Sequence, residues 1–197
     1  MNLKSFTNIT IISCCLLLTT ATKAQNTRFS IGAEAAIPVG DFADAVNTGY
    51  GGSLRCEFPV GTSNLGLMIT AGYLSFAGKD IEIGTFHHSG YSQGLIPIQV
   101  GGRYYFNAPQ DGFYVQVELG VHMNSYTAYT YSGSPLELHT STKTNTNFSY
   151  GPSIGYQFAN VDLGVKYQLI SSGKDAAGET VNNSYVGIRL AYVFGSK

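Results

Sequence analysis

Between Arg28 and Phe194, apolar and polar residues alternate one for one, in runs broken by Gly, Pro, Asn or Ser. A period of two is the period of a β-strand, and no part of this span keeps a 3.6-residue apolar repeat. The runs predict eight strands, near 28–38, 50–59, 65–76, 94–106, 112–126, 147–158, 161–170 and 184–194. In the last run Val186, Ile188, Leu190, Tyr192 and Phe194 share one side, whereas Tyr185, Gly187, Arg189, Ala191 and Val193 share the other. The same sorting gives apolar faces such as Phe29/Ile31/Ala33/Ala35/Ile37, Leu65/Leu67/Ile69/Ala71/Tyr73 and Val161/Leu163/Val165/Tyr167/Leu169. A strand of about ten such residues crosses a bilayer at a tilt, provided a neighbour satisfies every backbone group. The last strand would therefore have to close a ring against the first.

The connections are unequal in an ordered way. After the second, fourth and sixth runs they are short (60–64, 107–111 and 159–160), and after the odd-numbered runs they are long, most of all 77–93 and 127–146. Short turns on one side and long loops on the other predict an all-β, eight-stranded antiparallel up-and-down barrel that crosses an outer membrane, with the short turns periplasmic. With odd strands running up, Phe29, Phe58, Phe106, Phe113, Phe158 and Phe194 fall at the periplasmic rim, and Tyr50, Tyr73, Phe148, Tyr150 and Tyr167 near the other. Aromatic rings suit both boundaries, where one part of the ring is apolar and the other wet.

A soluble eight-stranded barrel would alternate in the same way, with its apolar side chains inside. The polar face separates the two cases. It carries Gly32, Gly51, Gly66, Gly72, Gly101, Gly120, Gly151, Gly155, Gly164 and Gly187. A solvated face gains nothing from glycine, which weakens a strand, but a narrow lumen gains room for large neighbours. Charged residues are 12% of the chain, against about 25% in ordinary soluble domains. Both observations favour the membrane barrel.

On that inward face parity places Glu34, Glu57, Glu118 and Asp162 together with Arg55, Arg103, Lys166 and Arg189. Four acids meet four bases in a space just wide enough for side chains. Buried charges must be paired, so the reading is a salt-bridged plug rather than an ion-conducting lumen.

Residues 1–24 read as a secretory signal peptide, leaving 25–197 as the barrel domain. Lys4 gives the positive start, Ile9 to Leu18 the apolar core, and Thr22-Lys23-Ala24 the small-residue cleavage site. Cys14, behind Ile11-Ile12-Ser13, makes a poor lipobox, and Cys14 and Cys15 lie within the apolar core. Removal of the signal leaves Cys56 alone, so no internal disulfide is possible. Nine bases then face twelve acids, a formal net charge of −3, and nucleic acid is not an expected partner.

The chain resembles the small outer-membrane β-barrel proteins of the OmpA-like and PorT-type kind. Ile37-Pro38-Val39-Gly40-Asp41-Phe42 followed by Gly49-Tyr50-Gly51-Gly52 is similar to the first-loop pattern of such domains. A final strand ending in Phe194 resembles their assembly signal. The resemblance implies the outer membrane of a Gram-negative bacterium, contact with outer-membrane lipid, and insertion by the barrel assembly machinery through the C-terminal strand. A monomer is expected. Without a peptidoglycan-binding domain after the barrel, cell-wall tethering is not among the expected roles.

Candidate chemistry is sparse. His87-His88-Ser89 lies near Asp80 and Glu82 in a long connection. The triplet resembles the catalytic pair of lipid A 3-O-deacylase barrels, with His87 as base and Ser89 as nucleophile, although in that family the pair lies on a strand at the membrane boundary. A surface metal site of His87 or His88 with Asp80 is the other reading; neither is preferred to a plain loop. His122 and Glu118, on one inward face, read as a hydrogen-bonded interior pair. No catalytic residue, metal or cofactor is assigned. Pro97 and Pro152 each fall mid-strand, where proline removes a ladder bond; each marks a bulge, an N–H position outside the pairing, or a weak seam. The expected role is non-enzymatic and structural or surface-directed. The alternatives are a conduit for a small apolar solute and, third, a lipid A-modifying esterase.

Overall fold

Strands that are apolar on one side and polar on the other can hide both problems at once, lipid outside and polar contacts inside, by rolling into a closed sheet. A computed structural model describes residues 27–79, 81–83, 86–88, 92–132, 137–171 and 183–195. The signal-like segment with Cys14 and Cys15, together with Asp80, Ser89 and Asp175, lies outside the described residues. The elements in chain order are β1 (Arg28–Val39), α1 (Asp41–Ala45), β2 (Gly49–Pro59), β3 (Leu65–Ala77), β4 (Ile81–Ile83), β5 (Phe86–His88), β6 (Ser92–Tyr105), β7 (Gly112–Ser132), β8 (Glu137–Phe158), β9 (Val161–Ile170) and β10 (Asn183–Phe194). Eight of them close a barrel in the order β1-β10-β9-β8-β7-β6-β3-β2, every neighbouring pair antiparallel. The ring shuts where Phe29 stands opposite Phe194 and Val39 opposite Ser184. β4 and β5 form a separate two-stranded sheet within the connection from β3 to β6.

Two further connections are more ordered than their sequences suggest. Within the stretch 127–146, residues 127–132 and 137–146 are strand rather than loop: β7 and β8 pair without a break from Gly112–Gln157 to Ser132–Glu137, and so run past the barrel as a two-stranded ribbon. Outside the membrane a ribbon needs no apolar face, so the apolar half of the alternation fades into Thr, Ser and Asn while the pairing continues. The first long connection folds back as α1. Gly40, with φ 61°, turns the chain in the left-handed region open to glycine. Phe42 and Val46 then enter the barrel mouth.

The prolines leave the register intact. On one side Pro97 pairs with His122 and Pro152 with Val117 in unbroken ladders. On the other, pairing skips from Ala71–Ile98 to Leu74–Leu95 and from Tyr150–Leu169 to Ser153–Lys166, with no residue gained or lost. Neither proline therefore sits at a bulge, which would insert a residue on one strand. Each simply turns its N-H-less side toward a locally unpaired stretch.

Candidate functional site: a filled lumen

The site is the barrel interior, built in layers by alternate residues of the eight strands. Glu34, Arg55, Glu57, Arg103, Glu118, Asp162, Lys166 and Arg189 are all buried there. Asp162 is the hub. Its Oδ2 lies 3.4 Å from Arg55 Nη1, 3.1 Å from Arg103 Nη2 and 3.3 Å from Arg189 Nη1, and Tyr114 donates its hydroxyl to Oδ1 at 2.6 Å. Glu57 meets Arg103 Nη1 at 3.3 Å and accepts the Tyr105 hydroxyl. Glu118 meets Arg55 Nη2 at 3.5 Å and accepts from Thr70. Glu34 meets Lys166 Nζ at 3.1 Å and accepts from Ser53, whose Oγ in turn accepts Arg189 Nε at 2.8 Å. Each carboxylate thus has both a cation and a neutral donor, the arrangement buried ions need to offset lost hydration.

The glycines of the inward face make this filling possible. Gly155 and Gly164 stand opposite each other on β8 and β9. A Cβ on either would lie 2.3 Å or 2.8 Å from the Tyr114 hydroxyl. The pair is the bed of the Tyr114 ring, and that ring supports the Arg103 guanidinium, 3.7 Å from its centroid.

Above the charged belt, toward the end with the long connections, the lumen becomes apolar. Phe42 and Val46 of the α1 segment pack with Ala36, Leu74, Phe76, Leu95, Ile170 and Tyr185; the Phe42 and Phe76 rings are 5.1 Å apart. The lid is tied down by the backbone of Lys79 donating to Ala45 O at 3.0 Å and that of Asn47 donating to Ala77 O at 2.8 Å. At the opposite mouth Arg28 Nη1 donates to Gln110 O at 2.6 Å, linking β1 to the turn between β6 and β7 on the far side of the ring. Between the stoppers, a cavity beside Arg55, Tyr114, Ser153, Lys166 and Arg189 measures about 20 Å³, which is room for about one water.

His122 does not pair with Glu118. Its Nδ1 lies 2.7 Å from Ser149 Oγ and its Nε2 3.2 Å from the Tyr185 hydroxyl. Residues four apart on a strand are about 13 Å apart along it, so sharing a face does not bring them together. His122 and Ser149 are both 0% exposed. His87 and His88 lie on β5. Among the described residues no group of three or more His, Cys, Asp or Glu is placed to hold a metal.

The girdle residues Phe29, Tyr50, Tyr73, Phe106, Phe113, Tyr150, Phe158, Tyr167 and Phe194 are exposed on the outer wall, and Phe58 is half-buried. Parity alone would have found Arg28, Tyr105, Tyr114 and Tyr185 on the inner face. Tyr185 already shares its side of the last strand with Arg189, whereas the roles of the other three depend on partners across the lumen that only the closed ring brings near.

Residues 10–194 match the family described as outer membrane protein beta-barrel domain. The chain belongs to that family. The match takes in every strand of the ring, and the family places the barrel in the outer membrane of a Gram-negative bacterium. Solved structures of this fold include Ail, the attachment invasion locus protein of Yersinia pestis, in complex with the heparin analogue sucrose octasulfate (12% identity, 86% of this chain and 98% of that one, TM-score 0.53). Another is the N-terminal β-barrel domain of Pseudomonas aeruginosa OprF (15%, 85% and 97%, TM-score 0.50). A third is a major outer membrane protein of Thermus thermophilus (13%, 85% and 99%, TM-score 0.50). At these identities the likeness is one of fold. No curated protein sequence matches the chain.

Proposed function

We propose that this outer-membrane barrel is a non-enzymatic, closed-lumen scaffold whose work is done by what it holds outside the membrane. The observation that carries the reading is the Asp162 hub: three arginines from three strands converge on one carboxylate in mid-lumen, where a solute path would have to run. An apolar lid at one mouth and the Arg28–Gln110 contact at the other support the same reading. Export by the signal peptide, insertion through the C-terminal strand and a monomeric state in the membrane belong to this proposal. Refolded protein in a planar bilayer should show no sustained unit conductance, and lipid A incubated with it should keep all its acyl chains. A stable ohmic channel would replace this reading with the conduit. Lost acyl chains would replace it with the esterase.

A further inference from the structure

The ribbon made by β7 and β8 outlasts its neighbours. β6 leaves β7 at the Gln93–Tyr126 pair. β9 leaves β8 at Ser149–Ile170, with one more bond from Ser171 N to Phe148 O. Beyond these points β7 and β8 continue together to Ser132–Glu137, about 20 Å further at the rise of a strand. Among the described residues, 137–147 of β8 pair with β7 alone. In an antiparallel ladder alternate residues turn both backbone groups to the same side, so about half of the N–H and C=O groups on this edge have no ladder partner among the described residues.

Native sheets blunt such edges with proline, bulges, charge or a cover. Here the segment Glu137-Leu-His-Thr-Ser-Thr-Lys-Thr-Asn-Thr-Asn147 has no proline and a single lysine, and its register has no bulge. The connection that follows β9 begins Ser172-Gly-Lys-Asp-Ala-Ala-Gly-Glu, which is rich in Gly and charge and poor in strand formers.

We infer that this edge pairs antiparallel with the same edge of a second copy held in a facing membrane. The inference rests on the proposed surface role and names its partner. The edge is self-complementary: with Thr142 on a twofold axis, Thr140 faces Thr144, Ser141 faces Lys143, His139 faces Asn145 and Glu137 faces Asn147. No like charges meet, and threonines opposite one another are a favourable cross-strand pair. Geometry selects the facing membrane over the same one. Barrel strands tilt by about 35–45°, so ribbons of two copies related by an axis along the membrane normal would cross at about 80° and could not form a ladder. An axis in the membrane plane, perpendicular to the ribbon, aligns the two edges whatever the tilt. A single strand pair is weak, but many copies on apposed surfaces act together.

The test uses the full barrel refolded into phosphatidylcholine vesicles, read by light scattering and two-colour co-localisation. Wild-type vesicles should cluster with each other and not with protein-free vesicles, while the protein in detergent stays monomeric. The double variant Thr140→Lys with Thr144→Lys, and its counterpart Thr140→Glu with Thr144→Glu, should each lose clustering alone and recover it when the two populations are mixed. Recovery on mixing is an outcome that misfolding cannot produce. Absence of wild-type clustering, clustering with protein-free vesicles, or equal clustering of all variants would overturn the inference. A barrel that fails to cluster yet stays non-conducting refutes only the pairing, whereas a conducting wild type refutes the closed-scaffold reading itself.

Discussion

Arg103 lies with its guanidinium carbon 3.7 Å from the centroid of the Tyr114 ring. Tyr114 in turn donates to Asp162, which Arg103 also pairs at 3.1 Å. The three side chains form a closed triangle from β6, β7 and β9. The charge is held in place by a ring, and the ring by two opposed glycines.

Removing Arg103 breaks that triangle and takes the guanidinium from Glu57, while Asp162 keeps Arg55 and Arg189. Losing one partner of a buried ion pair costs about 3–5 kcal/mol. Arg103→Ala should therefore lower barrel stability by about that much in urea refolding into lipid vesicles. Lys79→Ala, at an exposed position outside the strands, should change it by less than about 0.5 kcal/mol. Equal effects would show that the belt is not structural.

The outer wall can be tested by depth. Leu119 stands in register between Val100 and Tyr150 on the outward face and is 48% exposed. Leu119→Arg should cost about 2–4 kcal/mol in a bilayer, and Ser75→Arg, near the rim opposite Tyr50, about 0–1 kcal/mol. Gln116 on the inner face is no neutral control, because its Oε1 accepts Arg103 Nε at 2.9 Å. Folding free energies in vesicles that fail to separate Leu119 from Ser75 would count against the membrane depth assigned to β7.

How much of this was legible in the chain depends on which residues face a buried surface. The eight alternating runs and the outward set from Phe29 to Phe194 follow from period two, because lipid demands an apolar face along the whole wall. The charge belt follows from the same parity. The ribbon does not, since residues 137–147 carry no apolar face for the alternation to mark. The helix α1 is five residues long, shorter than two turns, and leaves no 3.6-residue repeat. Partner choice inside the lumen is also illegible. Parity puts His122 and Glu118 on one face, but Ser149, Tyr185 and Thr70 come from strands whose register only the closed ring fixes.

Topology follows from the sides on which the connections fall. On a Cys56→Ser background, cysteines at Glu137 and Lys79 should react with a membrane-impermeant maleimide on intact cells. Cysteines at Asn64 and Ala108 should react only after lysis. Asn64 accepts Tyr105 N in the turn between β2 and β3, and Ala108 is exposed in the turn between β6 and β7, so both report on the side with short connections. The reverse labelling pattern would invert the barrel.

The last prediction concerns the order of the stoppers. Phe42 is 2% exposed and seals the mouth against Phe76, but α1 is held to the barrel by few backbone bonds. Phe42→Ala should therefore release α1 locally, with faster amide exchange at Asn47 and Lys79, and leave global unfolding of the barrel nearly unchanged. It should not create a channel. The stoppers act in series, so the Asp162 hub still blocks the lumen when the lid is gone. Even Phe42→Ala with Arg103→Ala leaves Arg55 and Arg189 on Asp162 and Arg28 on Gln110 O, so planar bilayers holding either variant should show no sustained unit conductance. Conductance in Phe42→Ala alone would mean that the lid, not the charged belt, closes the barrel.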